Sequence, residues 1–225
     1  MTELSLVVFD VDGTLVDSQR DIVASMTHAF GLLGLELPGR KAILETVGLS
    51  LPQTMQRLAP SLECSESEQL VEAYKKTYAE LRIRAGSANS SPLYQGVAEV
   101  LRKLHSVDPL LLGVATGKSR RGLNALLDAH DLRRFFVTQQ CADDHPSKPH
   151  PSMLEAALSE TGVTADRAIM VGDTSFDLEM SRAAGFRFIG VSWGYHDRDR
   201  LAGADVIVDR VPELVDAILT EGTLA

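Results

Sequence analysis

The stretch Leu6-Val7-Val8-Phe9-Asp10-Val11-Asp12-Gly13-Thr14-Leu15 decides the fold. Four apolar residues run into an acid, one residue intervenes, a second acid follows, and a glycine ends the run. Length and composition predict a buried strand that turns at Gly13. In open α/β sheets, chemistry collects just beyond the carboxyl ends of strands. Alternate residues of an extended chain face the same way, so Asp10 and Asp12 are expected to point to one side. Two such carboxylates can divide nucleophilic attack and proton transfer between them.

Working outward, apolar β-rich runs recur at Leu110 to Ala115, Phe135 to Thr138, Ala168 to Val171, Phe186 to Val191 and Val206 to Val208. Helix-like segments separate them: Val97 to His105, Ser119 to Ala129, Ser152 to Thr161, Phe176 to Ala184 and Val211 to Leu219. This alternation predicts an α/β protein, a Rossmann-like parallel sheet with helices on both faces.

One gap breaks the rhythm. No convincing strand lies between the first run and Leu110. Within the gap, Ile22, Met26, Ala29, Phe30 and Leu33 recur at helical spacing over Asp21 to Leu33. Arg40 to Thr46, Pro52 to Leu58 and Ser67 to Arg84 also read as helices, the last with N-cap candidates in Ser65 to Glu68. Gly86 to Pro92 has linker composition. The expectation is a small helical domain at residues 18–85, inserted into a core of residues 1–17 and 86–225. Asp17-Ser18 and Ser87 to Gly96 are its expected hinges.

Three later motifs carry chemistry. The run at Leu110 ends in Thr116-Gly117-Lys118-Ser119, where a hydroxyl and the N–H groups of a helix start can receive an oxyanion. A Thr-Gly pair after a strand is also a common helix cap. Ser147-Lys148-Pro149-His150-Pro151 holds a lysine at a helix entrance, stiffened by two prolines. A lysine there suits a phosphate oxygen and an attacking carboxylate. Val171-Gly172-Asp173-Thr174-Ser175-Phe176-Asp177 places two acids four residues apart at a strand end and a helix start. Carboxylates that close repel unless a cation lies between them. With Asp10 they form an oxygen-rich site that suits Mg²⁺ better than Zn²⁺, since no cysteine or histidine cluster accompanies them.

Together Asp10-x-Asp12-Gly13-Thr14, Thr116-Gly117, Lys148-Pro149 and Gly172-Asp173-x-x-x-Asp177 resemble, in order, the four motifs of the haloacid dehalogenase-like hydrolases. The resemblance spans Leu6 to about Leu219 and is nearest to the phosphoglycolate phosphatase-like group with a helical cap. It implies that Asp10 attacks phosphorus and forms an aspartyl-phosphate, and that Asp12 protonates the leaving oxygen and then activates water. It implies that Thr116, Gly117 and Lys148 hold the phosphoryl group. Asp10, the backbone carbonyl of Asp12, and Asp173 would bind Mg²⁺, with Asp177 acting directly or through water. Dehalogenation is disfavoured, because the resembled dehalogenases lack an acid at the position of Asp12. A β-phosphoglucomutase-like phosphotransferase and a non-catalytic regulatory protein on the same fold are the alternatives.

Other residues carry weaker expectations. His145 and His150 read as structural, and Trp193 to His196 as a loop near the site entrance. Thr46 to Leu51, with Gly48, is a turn able to reach down to substrate. Arg57 and Arg84 read as a solvated helix face, and Met26, Phe30 and Leu33 as core of the helical insertion.

Composition narrows the partners. The chain has 225 residues, 44% of them hydrophobic and 24% charged, as in ordinary globular proteins. A formal net charge of -9 argues against a nucleic-acid partner. No apolar stretch approaches the roughly 20 residues of a membrane span. Met1-Thr2-Glu3-Leu4 lacks the basic region of a signal peptide. Cys64 and Cys141 read as reduced thiols. The expected protein is cytoplasmic, a monomer or homodimer, and acts on a small phosphorylated metabolite.

Overall fold

The computed structural model describes residues 3–221. Six parallel strands form one sheet: β1 (Ser5–Phe9), β2 (Leu110–Thr116), β3 (Thr138–Cys141), β4 (Ala168–Gly172), β5 (Arg187–Val191) and β6 (Val206–Val208). Their order is β3-β2-β1-β4-β5-β6. β1 is central, pairing Phe9 with Val114 on one side and Val171 on the other.

The two faces of the sheet follow from the period of two. Val7 and Phe9 of β1 join one hydrophobic cluster with Leu112, Val114, Ile169, Val171, Ile189 and Val191. Leu6 and Val8 join a second cluster with Ala115, Met170 and Phe188. Helices α6 (Val97–His105), α7 (Arg120–Ala129) and α10 (Glu213–Glu221) cover the first face. Helices α8 (Ser152–Thr161) and α9 (Ser175–Ala184) cover the second. With both faces dry, each fully buried β1 side chain contributes about 1.5–3 kcal/mol.

Between β1 and α6 stand five helices: α1 (Gln19–Leu32), α2 (Arg40–Leu44), α3 (Leu51–Leu58), α4 (Cys64–Ala85) and α5 (Ser87–Ser90). The first four build a separate cluster from Ile22, Met26, Phe30, Ile43, Met55, Leu70 and Tyr74, with Leu33 packed against it. Among the described residues no helix is long and apolar enough to cross a membrane. Cys64 and Cys141 are both free thiols.

Three expectations need correction. The third strand is Thr138–Cys141, not Phe135 to Thr138. Arg133–Phe135 is a 3₁₀ turn that drops Phe135 and Phe136 into the core, while the strand itself is the polar sheet edge. Helix α4 starts earlier than Ser67, capped by Glu63 and not by a serine. Glu63 and Glu66 form a reciprocal capping box there, and the Glu63 N–H donates to Glu66 Oε2 at 3.0 Å. Gly86 to Pro92 is more than a linker, because it contains α5, and Ser90 and Ser91 are buried.

Candidate active site

The carboxyl ends of β1, β2 and β4 lie side by side at the centre of the sheet and deliver Asp10, Thr116 and Asp173 to one place. The Asp10 N–H continues the ladder to Val171 O at 2.9 Å. The chain then reverses, with Leu15 N–H donating to Val11 O and Gly13 N–H to Val16 O, each at 2.9 Å. Gly13 has φ of 89°, and a Cβ there would run into the Asp173 carboxylate. Only glycine fits both constraints.

Lys148 is completely buried, beside a cis peptide to Pro149. Its ammonium donates to Asp10 Oδ1 and to Asp177 Oδ1, each at 2.6 Å. The other oxygen of Asp177 accepts from Thr174 N–H at 3.1 Å and Thr174 Oγ1 at 2.7 Å. Asp173 accepts from Thr14 Oγ1 at 2.9 Å and from Tyr195 N–H at 2.8 Å. Asp10 Oδ2 is buried and has no hydrogen-bond partner among the described residues.

Asp10, Asp173 and Asp177 each offer an oxygen, and these atoms all lie within 4.8 Å of one another. Burial pushes the Asp10 carboxyl up to about 7; Lys148 pulls it down and Asp177 pushes it up. Asp173 is also held well above the ordinary carboxylate range, first by burial and then by Asp10 and Asp177. Burial pulls the Lys148 ammonium down, but Asp10 and Asp177 reverse this and leave it raised. One lysine does not balance three buried carboxylates. An all-oxygen cluster with an orphaned Asp10 oxygen fits a hard divalent cation such as Mg²⁺.

Asp12 points elsewhere. Its carboxylate receives Lys118 Nζ at 2.6 and 2.9 Å and the Ser18 hydroxyl. Lys118 also donates to Tyr78 Oη at 3.4 Å and lies 5.3 Å from the centre of that ring. Thr116 is buried and its Oγ1 accepts from Lys118 N–H at 3.2 Å. Thus Asp10, Lys148, Asp173 and Asp177 form one cluster, and the Asp12 side chain belongs to a second group. Lys118 is a residue that sequence reading left without a role. The signal was available: it lies two positions after Thr116, the same spacing that relates Asp12 to Asp10.

The helical insertion reaches this site through the turn after α2. A Cβ on Gly117 would stand 2.6 Å from Gly48 O and 2.8 Å from Leu49 O. Ser50 N–H donates to Ser147 Oγ at 2.7 Å. His196 accepts Ser175 N–H at Nδ1, 3.0 Å, and so donates from Nε2 to Glu45 O, 3.0 Å. The Trp193 to His196 loop does more than border the entrance. Trp193 Nε1 donates to Thr14 O at 3.2 Å, and Gly194 packs so tightly on Asp173 that no side chain fits. Ser18, an expected hinge, is buried and its N–H donates to Tyr195 Oη at 3.0 Å. His145, half-buried, bridges Gln140 and Ser152, at 2.9 Å each. Arg57 lies 5.7 Å over the Phe176 ring, and Arg84 is exposed.

A family model described as haloacid dehalogenase-like hydrolase matches residues 7–191. The chain is 39% identical over 217 residues to "Probable phosphatase IndB" of Dickeya dadantii, covering 94% of this chain and 92% of that protein. It is 29% identical to a phosphoglycolate phosphatase of Pseudomonas fluorescens, covering 95% and 79%. It is 30% identical to "Pyrophosphatase PpaX" of Halalkalibacterium halodurans, covering 96% and 97%. Among solved structures, a haloacid dehalogenase-like hydrolase from Streptococcus pneumoniae superposes with a TM-score of 0.81 at 25% identity, covering 97% of this chain and all of that one. A hydrolase from Pseudomonas syringae shares the fold, with a TM-score of 0.83 at 22% identity over 97% and 99% of the two chains. A buried acidic cluster at the strand ends, a lysine tied to it and a match across most of the chain place this protein in the haloacid dehalogenase-like hydrolase family.

Proposed function

We propose that this chain is a Mg²⁺-dependent phosphatase that hydrolyses a small phosphomonoester through an aspartyl-phosphate, as a phosphoglycolate phosphatase-like enzyme. One observation carries the reading. Asp10 has one oxygen held by Lys148 and the other buried without a partner among the described residues, beside two further carboxylates.

Asp10, the Asp12 carbonyl and Asp173 would hold the metal, with Asp177 nearby. Bound Mg²⁺ supplies charge neutralisation between the acidic cluster and a phosphate dianion. An oxygen of Asp10 forms a bond to phosphorus as the ester P–O bond breaks, and Asp12 gives a proton to the departing alkoxide. Water then attacks phosphorus, passes a proton to Asp12 and releases Asp10. Lys148 and Thr116, with the Gly117 backbone, stabilise the charge on the transferring group, which is the main demand of phosphoryl transfer. The helical insertion of residues 18–85 acts as a cap over the core of residues 1–17 and 86–225, excluding water through the 46–51 turn.

The test is phosphate release from a panel of phosphorylated metabolites with Mg²⁺, with EDTA and with Asp10→Asn. Release that needs the metal and vanishes in the variant is the expected result. Release that survives Asp10→Asn removes the covalent step.

A further inference from the structure

We propose that the phosphomonoester cleaved here carries its phosphate on an alcohol bearing an apolar ring system, seated in the cavity between the helical insertion and Asp12. This deepens the phosphatase reading and rests on it.

The cavity measures about 610 Å³. Asp12 and Lys118 line it, while Asp10, Thr116 and Lys148 do not. It therefore opens on the side of the proton donor and not on that of the nucleophile. A proton from Asp12 goes to the oxygen that departs, so the body attached to that oxygen extends toward Asp12. The cavity lies where the alcohol has to be.

Most of its exposed wall is apolar, and charged side chains, among them Glu72, Lys75, Arg82 and Arg121, also line it. Met26, Ile43, Leu49 and Leu51 supply an apolar surface. Tyr74 and Tyr78 stand beside it as a stacked pair, with ring centres 5.9 Å apart at 27°. The Tyr74 hydroxyl makes no hydrogen bond with the described residues, so it can serve a polar substituent on the ring. At the mouth, Ile83 also lines the cavity and is 77% exposed. A two-carbon acid such as glycolate would leave most of this wall facing water. Cavities of about 300–1,000 Å³ with mostly apolar walls suit ligands of drug-like size.

The volume does not come from a lifted insertion. The 46–51 turn is already seated, with Ser50 bonded to Ser147 and the Gly48 carbonyl against Gly117.

The experiment uses esters with one kind of leaving group: ethyl phosphate, 2-phenylethyl phosphate and 2-(1-naphthyl)ethyl phosphate, with phosphoglycolate beside them. All three alkyl esters release a primary alkoxide, so intrinsic reactivity changes little along the series. The expected kcat/KM rises about tenfold or more from ethyl to naphthylethyl, from burial of the added rings. Leu51→Trp, which narrows the cavity, is expected to cut that ratio about tenfold. Ile83→Glu, at an exposed position that folding tolerates, is expected to cut it about threefold. In parallel, calorimetry with Mg²⁺ measures binding of the same esters to the Asp10→Asn protein, where tighter binding of the naphthyl ester is expected.

A flat or falling series in both arms overturns the proposal, and Mg²⁺-dependent release by the wild type would leave the phosphatase reading standing. A ring preference that neither variant moves also overturns it, since the ring then sits elsewhere. Ring-dependent binding without phosphate release from any ester overturns the proposal, because the ring site then serves no cleaved ester.

Discussion

Lys118 grips both carboxylate oxygens of Asp12, at 2.6 and 2.9 Å, across 106 residues of chain. Both side chains are nearly buried, at 10% and 11% exposure. A pair this dry is costly to break from one side, because the remaining charge loses its partner. Lys118→Met is expected to lower kcat/KM about 100-fold, from loss of charge and of Asp12 orientation. It is also expected to lower stability by about 3 kcal/mol. Steady-state kinetics and urea denaturation read the two effects. Wild-type kinetics in the variant would limit the pair to a structural role.

Lys148→Met removes the only cation among the described residues that bonds Asp10 and Asp177. Without metal, the expected cost is about 3–5 kcal/mol of stability. Mg²⁺ should raise Tm in both wild type and Lys148→Met, because a ligand that binds only the folded state stabilises it. Asp173→Asn should abolish that rise. Differential scanning calorimetry with Mg²⁺ and with EDTA gives the answer; an unchanged rise in Asp173→Asn would exclude Asp173 as a ligand.

Gly117→Ala places a methyl 2.6 Å from Gly48 O, against backbone that cannot rotate away. The 46–51 turn must lift. The expected result is a fall in kcat/KM of about tenfold or more with a smaller change in Tm, since the contact seats the insertion and not the sheet. Equal kinetics in wild type and variant would show that seating this turn is unimportant to turnover.

His196 ties the insertion to the core as a neutral ring. Burial holds its pKa below the ordinary 6.5. On acidification the unfolded chain takes up this proton first, so the unfolded state gains. The contribution of His196 is present above pH 6.5 and is lost as pH falls through the lower folded value. Thermal denaturation from about pH 7.5 to 5 is expected to show a slope that His196→Gln flattens. An identical slope in the variant would assign the acid sensitivity to other groups.

Much of the sheet is legible in the sequence. The strands beginning at Leu6, Leu110 and Ala168 are apolar on both faces, and such runs have few alternatives to a buried parallel sheet. The edge strand was misplaced because an edge has one neighbour and tolerates Thr138-Gln139-Gln140-Cys141, while the aromatic signal of Phe135 and Phe136 belongs to the turn before it. The acids were legible because their spacing is local. Apart from Lys148, the partners of those acids were not. Thr14 to Asp173 and Ser18 to Tyr195 are pairs made by the fold across long stretches of chain, and no local pattern encodes them; the spacing of Lys118 from Thr116 marks the lysine but does not name Asp12 as its partner.

The central place of β1 also sets a timetable. Its first neighbour, β2, begins at Leu110, and its second at Ala168. Synthesis runs at about 5–20 residues per second, so the strand that carries Asp10 waits unpaired for about 5–20 seconds. The cluster of the helical insertion, in contrast, is complete by Tyr78. As the chain emerges, the helices can therefore gather before the strand next to them has found either partner. During that interval Leu6-Val7-Val8-Phe9 is an apolar strand without a partner, a segment that a chaperone would shield.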